Sequence, residues 1–485
     1  MGIVFKQTSW NILTISIAIL IGGINTLYFY PEFLKDNYYG LVVFLLATSN
    51  LLQPLMSFGA QHTIIKFFSS FNDKKKKDQF LSSVIFLPLF FIIPITFLVV
   101  QFHDLIAQFL SVKNPIIESY IWVIFLVSFA TSYFEVFYSW SRVQFRSIFG
   151  NVLKEIYPRV SVLLLLILVS FDILSKEDFI WWLTGLYYLR LILMIAYSLF
   201  LYRPEFSIVI PENYKEILSY SFYILLAGSA ASFLIDIDKY MIPQKEAISQ
   251  TAYYAVAVFI ATVVEIPGRA MFQILNPLVA KSLNEQNFSE LKNLYNKSSE
   301  NLLLVSGLFF LLINLNIDSF YILLNNEYYS NASLVVLIIS SAKLIQMSFG
   351  CGPAILATST FYRITLPFSI SMAVSVYLLN DYLIDIYGIN GAAISTFIVL
   401  LIFTVLKVLY IVFKIKIQPY NLNSLKIIFS IFTVYLISYF TKIDFNPLLE
   451  IVVRSVGIVI AYLVMIYFLG ISQKLKDLLN LKFKF

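Results

Sequence analysis

Cysteine and histidine are nearly absent from this sequence. One cysteine, Cys351, excludes a disulfide framework, and two histidines, His62 and His103, cannot build a conventional metal cluster. Charge is scarce too. Only 13% of the 485 residues are Asp, Glu, Lys or Arg, against roughly a quarter in an average globular chain. With 59% apolar residues and a mean hydropathy of +0.82, too little polar surface is left for a water-facing shell. That excludes an ordinary soluble protein. Long polar stretches are missing as well, which leaves no room for a soluble catalytic domain. Nothing resembles covalent catalytic machinery, since no nucleophile stands beside a base and no carboxylate pair is expected in a cavity. No cofactor, metal or nucleic-acid partner is expected, and the chain is not expected to be an enzyme.

What is present is a series of apolar runs, each near the ~20 residues that a helix needs to cross a bilayer. They fall at about 10–30, 38–65, 80–101, 116–139, 155–174, 179–202, 217–238, 251–275, 300–317, 331–357, 364–384, 391–413, 427–441 and 448–470. The sequence therefore predicts an all-α polytopic membrane protein with about fourteen transmembrane helices. The first run follows a segment with a single cation, Lys6, and lacks a small-x-small cleavage site, so it reads as an uncleaved first span. Net charge is +6, but where the cations lie says more. Counting from a cytoplasmic N-terminus, 21 Lys and Arg fall on inner segments and six on outer ones. That asymmetry places both termini in the cytoplasm.

The segment Tyr38-Tyr39-Gly40-Leu41-Val42-Val43-Phe44 recurs as Tyr253-Tyr254-Ala255-Val256-Ala257-Val258-Phe259, at the starts of spans 2 and 8. The repeat implies two six-span halves in one orientation, as in transporters built from parallel repeats; a chance match in apolar sequence is the other reading. Pro54, Pro88, Pro94, Pro267 and Pro353 fall at membrane depth. Each marks a packing kink or a place where neighbours or a wet cavity satisfy the freed carbonyls.

Three segments carry a resemblance. Tyr39-Gly40-Leu41 through Pro54-Leu55-Met56-Ser57-Phe58-Gly59-Ala60 to Lys66-Phe67-Phe68, Asp238-Lys239-Tyr240-Met241-Ile242 with Ala252-Tyr253-Tyr254, and Tyr387-Gly388-Ile389-Asn390-Gly391-Ala392-Ala393 follow one another in the order found in one family. The chain resembles the bacterial polysaccharide flippases, the oligosaccharide-lipid branch of the multidrug/oligosaccharide-lipid/polysaccharide exporter (MOP) superfamily. It departs from the pattern at Ala252, where a glycine is usual, and at Asp381 and Asp385, where a proline is common. The resemblance implies an N-terminal bundle (1–210, spans 1–6), a C-terminal bundle (211–420, spans 7–12) and an appended pair of spans with a cytoplasmic tail (421–485). It also implies a central cationic cavity opening alternately to each side of the bacterial inner membrane. The implied substrate is an undecaprenyl-diphosphate-linked oligosaccharide for O-antigen, capsule or other surface polysaccharide. Membrane lipids, a polysaccharide polymerase and glycosyltransferases are the implied partners.

Charged residues inside the spans are the candidate site, because each costs about 2.5–3.5 kcal/mol at a span centre and normally faces a bundle interior or wet cavity. Arg190 and Lys343 are the most central. Glu265 and Arg269 lie four apart on one helical face and can neutralise each other. This leaves Arg190 and Lys343 as unpaired cations able to meet a pyrophosphate, or to bind polar groups within their own bundles. Lys66, Arg159 and Lys407 lie toward the inside, for headgroup capture or snorkelling. Asp236 and Asp238, at the outer end of span 7, suit proton coupling or solvated helix-end carboxylates. The run Lys74–Lys77 suits anionic lipid or a simple topogenic role. The tail from Ile471, with Leu475, Leu478 and Leu479 on one face, suits the inner membrane surface. A drug or cation antiporter of the same superfamily is the nearest competitor, but it calls for twelve spans and an anionic site. A membrane polysaccharide polymerase or glycosyltransferase calls for a large outer loop or a carboxylate pair.

Overall fold

In lipid, a backbone must satisfy its hydrogen bonds within itself, and a chain this apolar does so with helices. The computed structural model describes residues 2–71, 73–205, 213–324, 327–441 and 445–471; all regular elements among them are helices. The chain divides into two compact units, Met1–Ala252 and Tyr253–Phe485.

The first unit contains α1 (Gly2–Ile24), a π-helical segment (Asn25–Leu34), α2 (Lys35–Ser57), α3 (Ala60–Phe67), α4 (Lys74–Phe86), α5 (Leu89–Gln101) and α6 (His103–Ser111). It continues with α7 (Ile121–Val143), α8 (Ile148–Glu155), α9 (Tyr157–Ser170), α10 (Lys176–Leu201) and α11 (Tyr214–Lys245), and ends at the start of α12 (Ile248–Thr262). Its core gathers on α7, where Phe134, Phe137 and Trp140 pack with Met56, Ile64, Leu153 and Met194. Serines let α2 and α7 approach closely. Ser49 Oγ donates to the Ile124 carbonyl (3.0 Å), Ser128 Oγ to that of Ser49 (2.9 Å) and Ser132 Oγ to that of Gln53 (3.1 Å), the small-residue contact used between membrane helices. α11, expected to begin the second half, packs here on α2 and α3. Ser221 and Thr63 share a 2.6 Å hydroxyl contact, and Asn50 Nδ2 donates to Asp236 (3.2 Å).

The second unit holds the rest of α12, a 3₁₀ turn (Val263–Glu265), α13 (Ile266–Asn284), α14 (Phe288–Leu323), α15 (Ser333–Ser348) and α16 (Gly352–Thr358). It finishes with α17 (Thr365–Tyr387), α18 (Ile389–Ile415), α19 (Leu422–Phe440) and α20 (Pro447–Phe468). α14 is its axis, with Leu303, Leu311 and Leu315 against Ile431 of α19 and Tyr462 of α20. Large apolar side chains such as Phe97, Phe200, Phe413 and Phe440 stay exposed on the outside, as lipid-facing residues should.

Among the described residues, eleven helices are long and apolar enough to cross a membrane, or twelve if the bent α11 counts as one span. The protein is multi-pass, but fourteen is not reached on that standard. Two places account for the difference. Leu13–Ser57 runs as one 45-residue stretch, although Lys35, at φ 59° and ψ 175°, breaks it between the expected spans 1 and 2. The expected span 5, 155–174, is realised only by the 14-residue α9, too short alone, with α8 lying before it. Of the prolines, Pro88, Pro267 and Pro353 stand at helix starts, while Pro54 and Pro94 lie inside α2 and α5. The amphipathic tail falls outside the described residues beyond Ile471, as does the expected boundary at 210.

Candidate functional site

Arg190 lies near the middle of α10, in a helix that offers it no acid one turn away. The fold answers with rings and a hydroxyl. The guanidinium sits over Phe134 (4.4 Å to the centroid) and Tyr187 (4.6 Å), and Nη2 donates to Thr131 Oγ1 at 3.3 Å. Tyr187 comes from the preceding turn of the same helix, Phe134 and Thr131 from α7. The side chain is only 5% exposed, and its Nε has no hydrogen-bond partner. The adjoining cleft, against Tyr157 and Ser161 of α9, is too narrow for water. A cation held this way keeps its charge within the first unit by cation–π attraction, not by neutralisation.

Around it lie charges that do pair. Glu135 of α7 binds Lys154 of α8 at 2.6 Å. Lys154 and Arg142 both stand over the Tyr138 ring, at 5.8 and 5.7 Å. Arg159 of α9 donates Nη1 to the Glu155 carbonyl oxygen and to its carboxylate at 3.2 Å. Arg142, Lys154, Arg159 and Arg190 against Glu135 and Glu155 leave a surplus of two positive charges. Glu135 escaped the sequence reading; the signal was a lone carboxylate inside an aromatic span, which must find a partner.

In the second unit one carboxylate serves two cations. Glu265, on the 3₁₀ turn, meets Arg269 Nη2 through Oε1 at 2.6 Å and Lys343 Nζ through Oε2 at 3.1 Å. The expected Glu265–Arg269 pair is present, but Lys343 is not unpaired. It shares the same acid, because α15 passes beside the turn. The trio carries a net positive charge. Arg269 is the open end, its side chain 52% exposed, whereas Lys343 and Glu265 are mostly covered. Lys407 of α18 stands apart from this trio, with Nζ 3.4 Å from Met372 Sδ.

The remaining candidates lie nearer the helix ends. Lys66, at the end of α3, stacks over Tyr220 of α11 at 3.9 Å and over Phe67 at 4.8 Å. Asp236 is buried, held by Lys239 at 2.6 Å and by Asn50, and Asp238 is buried beside it. Neither is a solvated helix-end carboxylate. His103 stacks on Trp122. Among the described residues no three His, Cys, Asp or Glu side chains group as metal ligands. Arg454, also unremarked in the sequence, binds Glu450 at 2.7 Å and the Leu315 carbonyl at 2.8 Å, tying α20 to α14.

The arrangement pairs the acids at membrane depth yet leaves positive charge over in each unit. Each cluster by itself favours anions over cations.

A family profile described as polysaccharide biosynthesis protein matches residues 4–282. No curated protein sequence matches significantly. Among solved structures the chain is similar to a lipid II flippase, MurJ, in an inward closed conformation. There the TM-score is 0.70 at 15% identity, over 97% of this chain and 99% of that one. An inward-facing multidrug resistance MATE family transporter of the MOP superfamily aligns with a TM-score of 0.61 at 14% identity, over 82% of this chain and 94% of that one. The MATE multidrug transporter DinF-BH gives 0.55 at 14%, over 84% and 94%. At these identities the likeness is one of fold. The family match spans more than half of the sequence, and the chain therefore belongs to the polysaccharide biosynthesis protein family.

Proposed function

We propose that this protein is a flippase of the bacterial inner membrane. It carries an undecaprenyl-diphosphate-linked oligosaccharide from the inner to the outer leaflet for surface polysaccharide assembly. The observation that carries the reading is the surplus of positive charge at membrane depth, with Arg190 in one unit and the Glu265–Arg269–Lys343 trio in the other. A diphosphate bears two or more negative charges, and bare passage through hydrocarbon is prohibitive. Cationic side chains replace its hydration with charge-assisted hydrogen bonds. Family membership and a fold shared with transporters support the same reading.

Transport proceeds by alternating access between two six-span bundles, spans 1–6 and 7–12. Spans 13 and 14 are the addition, and both termini are cytoplasmic. In this scheme Arg190, Lys343 and Arg269 receive the diphosphate, Lys66 and Arg159 serve its capture at the inner side, and Asp236 and Asp238 sit where α11 meets α2. The substrate reaches the flippase from glycosyltransferases and leaves it for a polysaccharide polymerase. An antiporter for cationic drugs shares the fold, but a cationic midplane opposes its cargo.

Deletion of the gene tests the reading in cells. Completed lipid-linked repeats should accumulate on the inner leaflet while surface polysaccharide disappears. Normal surface polysaccharide in the deletion would refute it.

A further inference from the structure

One half-buried cation in the second unit plays no part in this account. Lys407 lies eight residues before the end of α18 at Ile415, which is about 12 Å along the helix. A lysine at that depth ordinarily stretches its stem toward the headgroups. This one turns inward instead, with its ammonium against the thioether of Met372, a weak acceptor at best.

Beside it opens a cavity of about 300 Å³, at the lower end of the ~300–1,000 Å³ typical of ligand pockets. Thr404, one turn before Lys407, shares its face of α18; Thr365 and Ser369 face it from one side of α17; Gln346 adds an amide from α15; Phe272 and Leu356 supply apolar wall. The polar lining is thus one ammonium, three hydroxyls and one amide, with no carboxylate. Such a donor-rich, acid-free set suits an anion with several acceptor oxygens, and the apolar wall suits the start of a hydrocarbon chain.

We propose that this cavity binds the phosphate of an anionic amphiphile, a lipid headgroup drawn from the leaflet nearest Lys407. The site is built wholly from the second unit and shares no lining residue with the Glu265 trio. It goes beyond the transport reading and does not depend on it.

Native mass spectrometry of the purified full-length chain tests the proposal with equal concentrations of phosphatidylglycerol, phosphatidylcholine or inorganic phosphate. Phosphatidylglycerol should be the most tightly held. Lys407→Gln should weaken its binding about tenfold or more, the size of one charge-assisted hydrogen bond, and Lys407→Arg should keep it. The double variant Ser369→Ala, Thr404→Val provides a second handle that preserves the charge. It should weaken binding severalfold at an unchanged melting temperature. Retention of inorganic phosphate with the same Lys407 dependence would support the anion site and assign it to free phosphate. Equal retention of both lipids, or phosphatidylglycerol binding untouched by either set of variants, would overturn it. Flipping is not read in this experiment, so its failure leaves the transport proposal standing.

Discussion

At the scale of single residues, the decisive contrast is between Arg190, whose charge is shielded by rings, and Lys343, whose charge is shared with an acid. Arg190→Ala should abolish flipping per molecule of inserted protein. Arg190→Lys should keep part of it, because a lysine retains the charge but loses the planar stack on Phe134 and Tyr187. Wild-type transport by the alanine variant at normal abundance would remove Arg190 from the substrate path. Cys351 is a different case. It is fully buried after Gly350, which has φ +56°, and its backbone N–H donates to Ser298 Oγ at 3.0 Å. That main-chain contact survives loss of the thiol. Cys351→Ala should cost no more than about 1–2 kcal/mol and preserve transport, as surface polysaccharide in a complemented deletion strain would report. Legibility at this scale followed sequence distance. The Glu265–Arg269 pair, four residues apart, and Tyr187 beside Arg190 were within reach of helical spacing. Lys343 joining Glu265, Phe134 under Arg190 and Lys154 on Glu135 depend on which helices become neighbours, which no local pattern encodes.

At the scale of helices, hydropathy marked where the chain runs through the membrane but only some of the places where it breaks. Pro88 announced the division between α4 and α5. Lys35, with its positive φ, falls in the gap between the expected spans 1 and 2. The short α8 reads as part of the loop before span 5, because Lys154 and Glu155 interrupt the apolar pattern there. Close approaches were partly visible through glycine. A Cβ on Gly40 would lie 2.0 Å from the Ile248 carbonyl oxygen, so α12 starts directly upon α2. The same turn is clamped by Asn114, whose Nδ2 donates to the Pro243 and Glu246 carbonyls at 2.7 and 2.8 Å while its Oδ1 accepts from Ile248 N–H at 2.9 Å. Gly40→Ala should push these elements apart and destabilise the protein by about 1–3 kcal/mol, the usual cost of overpacking. A lowered melting temperature of the detergent-purified variant is the expected readout, and an unchanged one would contradict the packing described.

At the scale of the whole molecule, the membrane class and the helical fold followed from charge scarcity and run length alone, and residues 39–68, 238–242 with 252–254, and 387–393 carried the family resemblance, the first two within the matched region. The placement of α11 with the first unit did not follow. The Tyr38/Tyr253 match falls on α2 and α12 but says nothing of what packs on them. Orientation rests on the 21-to-6 division of cations. Reporters fused after Lys77, Asn293 and Asp477 should therefore report cytoplasm, and those after Asn114, Lys245 and Asn326 the outside. An external signal after Asn293 would break the two-half scheme, because it requires an odd number of spans before that point. The most direct test of the central claim is made in proteoliposomes loaded with a lipid-diphosphate-linked oligosaccharide. The measured quantity is the rate at which that oligosaccharide becomes accessible across the membrane to an impermeant sugar-modifying reagent. The account predicts rapid exposure with the wild-type chain, and a rate near that of protein-free vesicles for the Arg190→Ala, Lys343→Ala double variant inserted to the same amount. Wild-type vesicles no faster than empty ones would contradict it.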